Sequence, residues 1–317
     1  MCKNFTGFDN ICIVGTGAIG GAFGGFLSNA GYEVTFIEKN EDIINEIKEN
    51  GLSISGVKEI HLNNVTIAPP GSITQKQDLI LLTVKAYSLE EAVKSTLPII
   101  GENTYVVCLQ NGLGISEVIR KYVNKEQVIE GVVWFPATMV KPGYIKILTF
   151  YEQSILGGTT YRSQEYAKKL ALLFTSVGIP TKVVDNISNE IWRKAIPVIV
   201  GNTINAITRT KLGIISEIPE LKDSVFAVAK ESLKIAGAEG IELDEEYLKK
   251  SMLSALEKGY EYKTSMLVDL INNRKTEIDF LNGKIIELGK KHNIQTPLNL
   301  LIYGVIKALE AGQFKNL

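Results

Sequence analysis

The sequence predicts an α/β protein, with an N-terminal Rossmann-type doubly wound sheet followed by a C-terminal all-helical domain. A Gly-x-Gly-x-x-Gly segment follows a short apolar run near the N-terminus, and strand-like and helix-like runs then alternate to residue 184. From residue 185 onward, long helical periods dominate and strand-like runs largely disappear. We therefore predict a Rossmann domain over residues 1–184 and a helical domain over residues 185–317.

The composition is that of an ordinary globular protein without a strong charge. Hydrophobic residues make up 45% of the chain, charged residues 22%, and the formal net charge is −1. This balance gives no general attraction to nucleic acid or to anionic lipid. The three cysteines, Cys2, Cys12 and Cys108, are odd in number and widely spaced, so neither a disulfide framework nor a metal site is predicted.

Two apolar stretches have some features of membrane or secretory segments. Residues 11–27 are apolar but rich in glycine and preceded by Asp9, which does not suit a signal peptide. Residues 195–207 are too short to span a bilayer and contain Asn202 and Asn205. We expect a cytoplasmic protein with no membrane partner.

The first half of the chain reads as strands joined by helices, with a more irregular β region in its middle. Residues 52–67 read as short β pieces, and residues 134–156 as antiparallel strands turning at Lys141-Pro142-Gly143. The other predicted strands are 11–14, 33–38, 78–84, 104–109, 127–134 and 181–184, and the predicted helices are 42–50, 88–97 and 164–176.

The glycine-rich segment has the spacing of a dinucleotide-binding loop. It comprises Gly15, Thr16, Gly17, Ala18, Ile19 and Gly20. The first glycine permits a tight turn, the second lets the backbone approach a pyrophosphate, and the third lets helix and strand pack closely. The helix that follows would offer unpaired N–H groups to the phosphates. We therefore predict that these six residues bind a dinucleotide.

The residues that end the second predicted strand bear on the choice of cofactor. Glu38 would accept hydrogen bonds from ribose hydroxyls and repel a 2′-phosphate, which favours NADH. Lys39 follows it and would attract that phosphate, which favours NADPH. The cofactor is therefore predicted to be NADPH or NADH, with Glu38 or Lys39 reading the ribose.

Polar residues follow two further strands, where ligands of open parallel sheets bind. Lys85 follows the strand 78–84, and Asn111 follows the strand 104–109. Each could also be an ordinary surface lysine or an Asn-Gly turn. Their position on successive crossovers beside the glycine loop favours a role in the site.

A lysine is the best candidate for a general acid. Histidine is the usual proton donor, but His61 lies in a β segment and His292 at the end of a charged helix. Helical spacing instead places Lys194, Val198, Asn202 and Asn205 on one face of an apolar helix. Burial there would lower the pKa of Lys194. The alternative is a lysine that reaches solvent from the start of the helix.

One further polar segment has two interpretations. Thr276 and Asp279 have the spacing of a helix capping box, with Glu277 at the first helical position. Spacing alone favours that structural interpretation over a functional one for Glu277.

Taken together, these segments resemble the ketopantoate reductase family over nearly the full chain. The resemblance rests on the glycine loop, on Thr83-Val84-Lys85-Ala86-Tyr87, on the segment from Leu109 to Gly114, on Trp192-Arg193-Lys194, and on the segments Ser265-Met266 and Thr276 to Gly283. Their order along the chain also matches. The last segment is the most specific.

The resemblance implies NADPH-linked reduction of ketopantoate, a small 2-oxo acid, to pantoate on the way to coenzyme A. It assigns Lys194 as the general acid and Glu277 as the carboxylate that binds the substrate hydroxyl. Asn202 and Ser265 match positions that contact substrate. Lys85 and Asn111 match residues that line the junction of nicotinamide and substrate.

The chain also departs from the family pattern at three positions. Val198 stands where an asparagine is common, Tyr262 replaces an asparagine near the Ser-Met motif, and Lys39 stands where an arginine usually meets the 2′-phosphate. These departures keep one alternative open, a reductase of another 2-oxo acid that uses NADH. A non-catalytic dinucleotide sensor is a further alternative, against which the presence of both Lys194 and Glu277 argues. An apolar face on the C-terminal helices fits either a core or a homodimer interface.

Overall fold

The computed structural model describes residues 7–313 of the chain. Contacts between residues divide it into two compact units. The first comprises the residues up to 110 together with 115–187, and the second comprises 111–114 together with the residues from 188 onward. The domain boundary predicted after residue 184 stays a prediction about separately folding domains.

The first unit contains all the strands of residues 7–313 and five α-helices. The strands are β1 (Asn10–Val14), β2 (Glu33–Ile37), β3 (Leu52–Gly56), β4 (Ile60–Leu62), β5 (Thr66–Ala68), β6 (Gln77–Leu82), β7 (Ile100–Cys108), β8 (Val128–Val132), β9 (Ala137–Lys141), β10 (Tyr144–Ile147), β11 (Ser154–Gly158) and β12 (Thr181–Val183). The helices are α1 (Ala18–Asn29), α2 (Glu41–Asn50), α3 (Leu89–Thr96), α4 (Ile115–Arg120) and α5 (Tyr161–Val177).

Eight strands form the main sheet, in the order β12-β11-β8-β7-β6-β1-β2-β5. The strands from β8 to β5 in this order pair in parallel, and β11 joins β8 antiparallel. The strands next to β1 in the sheet are β2 on one side and β6 on the other, so the chain order reverses at β1. This reversal creates the switch point at which open α/β sheets bind ligands, and it places the glycine loop directly after β1.

The irregular β region forms a second, four-stranded sheet in the order β4-β3-β10-β9. Strands β9 and β10 pair antiparallel across a turn at Gly143, which has a φ of +71°. The predicted hairpin at Lys141-Pro142-Gly143 is therefore correct. The parallel pairing of β10 with β3 joins segments far apart in sequence and has no local sequence signal.

Apolar side chains from both sheets and their helices share one core in this unit. Phe23 of α1 packs edge-on against Phe174 of α5, with ring centroids 4.9 Å apart, and both are buried. Gly24 of α1 lies so close to Phe36 of β2 that a Cβ there would meet the ring at 2.3 Å. The glycines of α1 thus let the helix lie close to the sheet.

The second unit is helical in its described part. Its helices are α6 (Ile187–Thr208), α7 (Ile214–Glu217), α8 (Pro219–Ala238), α9 (Glu245–Lys258), α10 (Ser265–Ile271), α11 (Asn282–Lys291) and α12 (Pro297–Gln313). Ile196 and Ile199 of α6 belong to the same fully buried cluster as Ile285 of α11 and Ile306 of α12. Helix α6 continues through Pro197.

Two remaining expectations concern cysteines and membranes. Cys12 and Cys108 are free and buried in strands β1 and β7, and burial raises the pKa of the Cys12 thiol to about 12. Cys2 lies outside the described residues. Between residues 7 and 313, every helix is too short or too polar to span a bilayer.

Candidate active site

The glycine loop turns sharply off β1. Gly15 has a φ of +96°, in the left-handed region that favours glycine, and its N–H donates to the carbonyl of Ile37 at 2.8 Å. A Cβ on Gly20 would lie 2.1 Å from the carbonyl oxygen of Gly15. The turn and the close packing predicted for these two glycines are therefore both present.

Thr83 holds the loop from the neighbouring strand end. Its hydroxyl donates to the carbonyls of Gly15 at 2.7 Å and Val14 at 3.0 Å. Thr83 directly follows β6, but the sequence alone did not indicate a role for it. These bonds hold the loop against the end of β6.

The loop has the features that a pyrophosphate needs. A Cβ built on Gly17 would have no atom within 4 Å, so the backbone there is open to close approach. The N-cap of α1 is Gly17, which provides no side-chain cap for the first helical N–H groups. The buried Thr16 hydroxyl also has no hydrogen-bond partner. These residues fit a dinucleotide, which they would hold through backbone N–H groups and the helix dipole.

Glu38 lies beside the loop and is held by backbone groups. One carboxylate oxygen accepts from the Thr16 N–H at 2.8 Å, and the other accepts from the N–H groups of Lys39 and Asn40 at 2.9 and 3.0 Å. Such bonds stabilise the charged carboxylate in one orientation. A fixed anion next to the glycine loop suits the hydroxyls of an adenosine ribose.

Lys39 and Lys85 occupy more open positions than Glu38. Lys39 is exposed and lies 3.7 Å from the Glu91 carboxylate, a surface ion pair that contributes little. Lys85 is partly buried and precedes a short 3-10 helix at Ala86–Ser88, and its carbonyl accepts from the Ser88 N–H at 2.9 Å. The cofactor roles assigned to both residues stay predictions.

A polar pocket lies within the helical unit. It is a small pocket that is partly open to solvent. Its lining includes four of the predicted site residues and also Val198, and the complete set is Asn111, Val198, Asn202, Ser265, Met266, Asp269, Glu277 and Leu281. The fold therefore brings together Asn111, Asn202, Ser265 and Glu277, which lie far apart in the chain.

Lys194 lies one turn before Val198 on α6 and is partly buried. It is not among the residues that line the pocket. Burial lowers its pKa from 10.5 to about 8, while the negative charge of Glu277 acts in the opposite direction. The lowered pKa expected for a lysine on this helix is present, and Glu277 is its electrostatic neighbour.

Two amides of α6 contact the start of α10. The Asn202 side-chain amide donates to the Ser265 hydroxyl at 3.2 Å, and both residues line the pocket. One turn further on, the fully buried Asn205 accepts from both the N–H and the hydroxyl of Thr264. Thr264 in turn caps α10. Asn205 thus fixes the helix end that carries Ser265.

The segment that carries Glu277 does not form the capping box suggested by its spacing. The hydroxyl and N–H of Thr276 donate instead to Glu310 of α12, each at 2.7 Å. Asp279 accepts from the Tyr303 hydroxyl of α12 at 2.9 Å. Only a short 3-10 helix, Ile278–Phe280, follows Glu277. The reciprocal capping box suggested by spacing is therefore absent, although the Thr276 hydroxyl still accepts from the Ile278 N–H at 3.3 Å.

Asn111 reaches the pocket through the loop after β7. The N–H of Leu113 donates to the carbonyl of Phe280 at 2.9 Å. Gly112 has a φ of +119°, and a Cβ there would lie 2.8 Å from that same carbonyl oxygen. This glycine is needed for the loop to lie against the Glu277 segment, where Asn111 joins the pocket lining.

Asp269 is a pocket-lining carboxylate that is 3% exposed and was not predicted from the sequence. Its Oδ1 lies 3.3 Å from the Arg274 guanidinium, and its carbonyl accepts from the Arg274 N–H. Its spacing of four residues after Ser265 on an amphipathic helix is the signal that could have found it. Both histidines lie outside the pocket. His61 bonds to Ser53, and His292 pairs with Glu239.

Comparison with known proteins agrees with this arrangement. The family model described as ketopantoate reductase PanE/ApbA matches residues 11–159, and the one for the family's C-terminal part matches residues 186–310. The chain is 36% identical over 306 residues to a 2-dehydropantoate 2-reductase of Pyrococcus abyssi (strain GE5 / Orsay), covering 96% of this chain and 99% of that protein. It is 32% identical to that of Aquifex aeolicus (strain VF5), covering 96% and 98%.

Solved structures give the same fold. A D-mandelate dehydrogenase in complex with NADH and anilino(oxo)acetate superposes with a TM-score of 0.90 at 30% identity, covering 96% of this chain and 99% of that one. The 2-dehydropantoate 2-reductase of Geobacter metallireducens GS-15 gives a TM-score of 0.88 at 25% identity, covering 94% and 99%.

A Rossmann-type sheet with a dinucleotide loop, joined to a helical unit with a polar pocket, defines a nicotinamide-dependent oxidoreductase. The chain belongs to the ketopantoate reductase family. Its substrate is accordingly a small molecule and its cofactor NADPH or NADH.

Proposed function

We propose that the protein reduces ketopantoate (2-dehydropantoate) to (R)-pantoate, a step toward coenzyme A, with Lys194 as the general acid. The observation that carries this proposal is that Lys194, whose pKa is lowered to about 8, is influenced by the charge of Glu277, which lines a polar pocket. The family membership supports the reaction class. The residue roles rest on the chemistry below.

The lowered pKa suits Lys194 to proton donation. A lysine with a pKa of about 8 is mostly protonated near neutral pH, yet it loses its proton far more readily than an exposed lysine. When bound, the nicotinamide supplies a hydride to the ketone carbon. Lys194 then donates its proton to the oxygen of that carbonyl, which completes the alcohol.

Each pocket residue binds one of the remaining polar groups of the substrate. Glu277 accepts a hydrogen bond from the substrate hydroxyl, and its charge favours the protonated form of Lys194 against the effect of burial. The Ser265 hydroxyl and the Asn202 amide, already bonded to each other at 3.2 Å, present further donors to the carboxylate. Asn111 completes the set from the loop after β7.

The first experiment follows nicotinamide absorbance at 340 nm with purified protein and ketopantoate, with NADPH and NADH in parallel. Oxidation that requires ketopantoate supports the proposal. Lys194→Ala should lower kcat by about three orders of magnitude at unchanged cofactor affinity. Lys284→Ala is the matched control, since Lys284 is also a largely buried lysine of the helical unit, paired with Glu287. A near-wild-type rate for Lys194→Ala would contradict the proposal.

A second candidate is the reduction of a bulkier, less polar 2-oxo acid with NADH. Val198 supports it, because this apolar residue lines the pocket where the family commonly has an asparagine. Glu38 supports NADH, as its fixed carboxylate disfavours a 2′-phosphate. The D-mandelate dehydrogenase that resembles this chain was solved with NADH and an aromatic oxoacetate derivative.

Phenylglyoxylate, the 2-oxo acid of mandelate, distinguishes the two candidates. If it is the better substrate, Val198→Asn should shift the ratio of kcat/KM values toward ketopantoate by about tenfold, because a polar group penalises a phenyl ring and can serve a hydroxyl. Val200→Ala, a change in a buried valine of α6 outside the pocket lining, should leave the ratio unchanged. A higher kcat/KM for ketopantoate in the wild type excludes the second candidate.

A further inference from the structure

A buried carboxylate on the last helix contacts the segment that carries Glu277. Glu310 of α12 is 6% exposed, and a single oxygen of its side chain, Oε1, accepts from the N–H and the hydroxyl of Thr276, both at 2.7 Å. Thr276 itself is fully buried and directly precedes Glu277. The backbone immediately before the pocket carboxylate is thus held by two short hydrogen bonds.

The same face of α12 also contacts the chain just after Glu277. Asp279 accepts from the Tyr303 hydroxyl at 2.9 Å and lies 3.6 Å from the ammonium of Lys307. Lys307 in turn lies 3.0 Å from Glu310. Residues 303, 307 and 310 follow helical spacing, so one helix face fixes the chain on both sides of Glu277.

We propose that Glu310 is a positioning residue, which acts through Thr276 to set the direction of the Glu277 carboxylate at the pocket. This inference rests on the proposed role of Glu277. A buried carboxylate is unfavourable unless several donors surround it, and here two of those donors belong to the residue next to Glu277. Glu310 itself does not line the pocket.

A purely structural role for Glu310 makes a different prediction. In that case its loss would lower the stability of the helical unit and leave the pocket electrostatics unchanged. If Glu310 sets the position of Glu277, its loss also changes the pKa of Lys194, because the charge of Glu277 acts on that lysine. The pKa of Lys194 is therefore a readout that global stability does not move.

Four variants separate these roles. Glu310→Ala removes both acceptor bonds to Thr276, whereas Glu310→Gln keeps an acceptor oxygen at the Oε1 position. Thr276→Val has nearly the same shape as threonine and keeps the N–H bond to Glu310. It removes the hydroxyl bond to Glu310 together with the bond that the hydroxyl accepts from the Ile278 N–H, so it tests the contact if Glu310→Ala fails to fold. Glu231→Gln is the matched control. Glu231 binds the N–H groups of Leu298 and Asn299 at the opposite end of α12.

The first measurement titrates Lys194 by NMR after reductive ¹³C-methylation of the lysines, with the signal assigned by its absence in Lys194→Ala. The second compares KM for the 2-oxo acid, kcat and the Kd of the cofactor. We expect Glu310→Ala to lower the pKa of Lys194 by about half a unit and raise KM about tenfold, at unchanged cofactor Kd. Thr276→Val should show part of this change, and Glu310→Gln and Glu231→Gln almost none.

The inference is overturned if Glu310→Ala and Thr276→Val lower only the melting temperature, with the pKa of Lys194 and KM as in the wild type. It is also overturned if Glu231→Gln produces the same kinetic change. If the proposed function fails, the Lys194→Ala variant keeps full activity. The titration of Lys194 still reports in that case whether Glu310 positions Glu277.

Discussion

The side-chain oxygen of Asn205 accepts two hydrogen bonds from Thr264, one from its N–H at 3.1 Å and one from its hydroxyl at 3.0 Å. The amide of Asn205 also donates to the carbonyl of Thr210 at 2.8 Å. These bonds of a fully buried side chain all go to structural groups. Asn202, one turn earlier on α6, faces the pocket instead. The two amides on one helix face therefore have different roles. Mutation of Asn205 should affect stability, and mutation of Asn202 should affect substrate binding.

Asn205→Leu should destabilise the protein by about 2–3 kcal/mol, because it leaves the buried N–H of Thr264 without an acceptor and its hydroxyl with only the distant Asn202 carbonyl at 3.5 Å. Urea denaturation followed by circular dichroism measures this loss. Asn202→Ala is the control, since its single side-chain bond goes to the exposed Ser265. It should change stability by less than about 0.5 kcal/mol and act on substrate KM. Equal stability of both variants would contradict the division of roles.

Lys194 should lower the stability of the folded protein at neutral pH. Its pKa is about 8 in the folded state, against 10.5 for an unperturbed lysine. Between these values the unfolded chain holds the proton that the folded chain has lost, so stability rises with pH across this window. Below about pH 8 the full penalty remains, and it corresponds to as much as about 3 kcal/mol.

The variant Lys194→Met removes this penalty and keeps a side chain of similar length. We expect it to be more stable than the wild type at pH 7, and we expect the difference to shrink as the pH approaches 10. Urea titrations at both pH values measure the difference. Lys284→Met, at the salt-bridged lysine of α11, should not give this pH-dependent gain. A constant difference between Lys194→Met and the wild type at all pH values would show that Lys194 does not titrate near pH 8.

The rate of reduction should follow the same titration. With protonated Lys194 as the acid, kcat/KM stays level below about pH 8 and falls above it, whereas the reverse oxidation gains rate over that range. Glu277→Gln removes a charge that raises the pKa of Lys194 and should move the alkaline limb to lower pH. Glu287→Gln, a change at an exposed carboxylate of α11, should leave the limb in place. An unshifted limb in an active Glu277→Gln variant would assign the titration to another group.

Local pattern was sufficient for much of the fold, whereas Ser265 and Glu277 were assigned to the substrate only through the family resemblance. The glycine loop, the alternating strands and the polar face of α6 depend on contacts near in sequence, and their expected positions agree with the structure. The hydrogen-bond partners of individual residues were harder to predict from the sequence. The capping box at Thr276 and Asp279 satisfied every local rule, yet Glu310 and Tyr303 of α12 provide better partners. Such competition between local and distant hydrogen bonds has no signature in a single sequence.

The parallel pairing of β10 with β3 was not predicted from the sequence for a related reason. Residues 144–147 and 53–56 are separated by a large part of the Rossmann sheet, and parallel pairing has no turn signal to reveal it. Asp269 was missed because a carboxylate in a short helix usually lies at the surface. Its burial depends on Arg274 and on the pocket, which only the folded chain brings together.

Glu38 should determine which nicotinamide cofactor the protein prefers. Its carboxylate is held in place by three backbone N–H groups, from Thr16, Lys39 and Asn40. Glu38→Gln keeps the size and an acceptor oxygen but removes the charge. It should raise the affinity for NADPH relative to NADH by about tenfold, because the repulsion of the 2′-phosphate is lost. Fluorescence titration of both cofactors gives the two Kd values directly, without any substrate.

Lys39→Ala is the complementary test of cofactor preference. Its ammonium is exposed and only loosely paired with Glu91, so removal should leave fold and NADH affinity unchanged. If Lys39 reads the 2′-phosphate, the variant binds NADPH several-fold more weakly at low salt, and the effect fades as ionic strength rises. A variant with unchanged affinity for both cofactors would leave Glu38 as the residue that reads the ribose, and preference for NADH would then be a property of this one carboxylate.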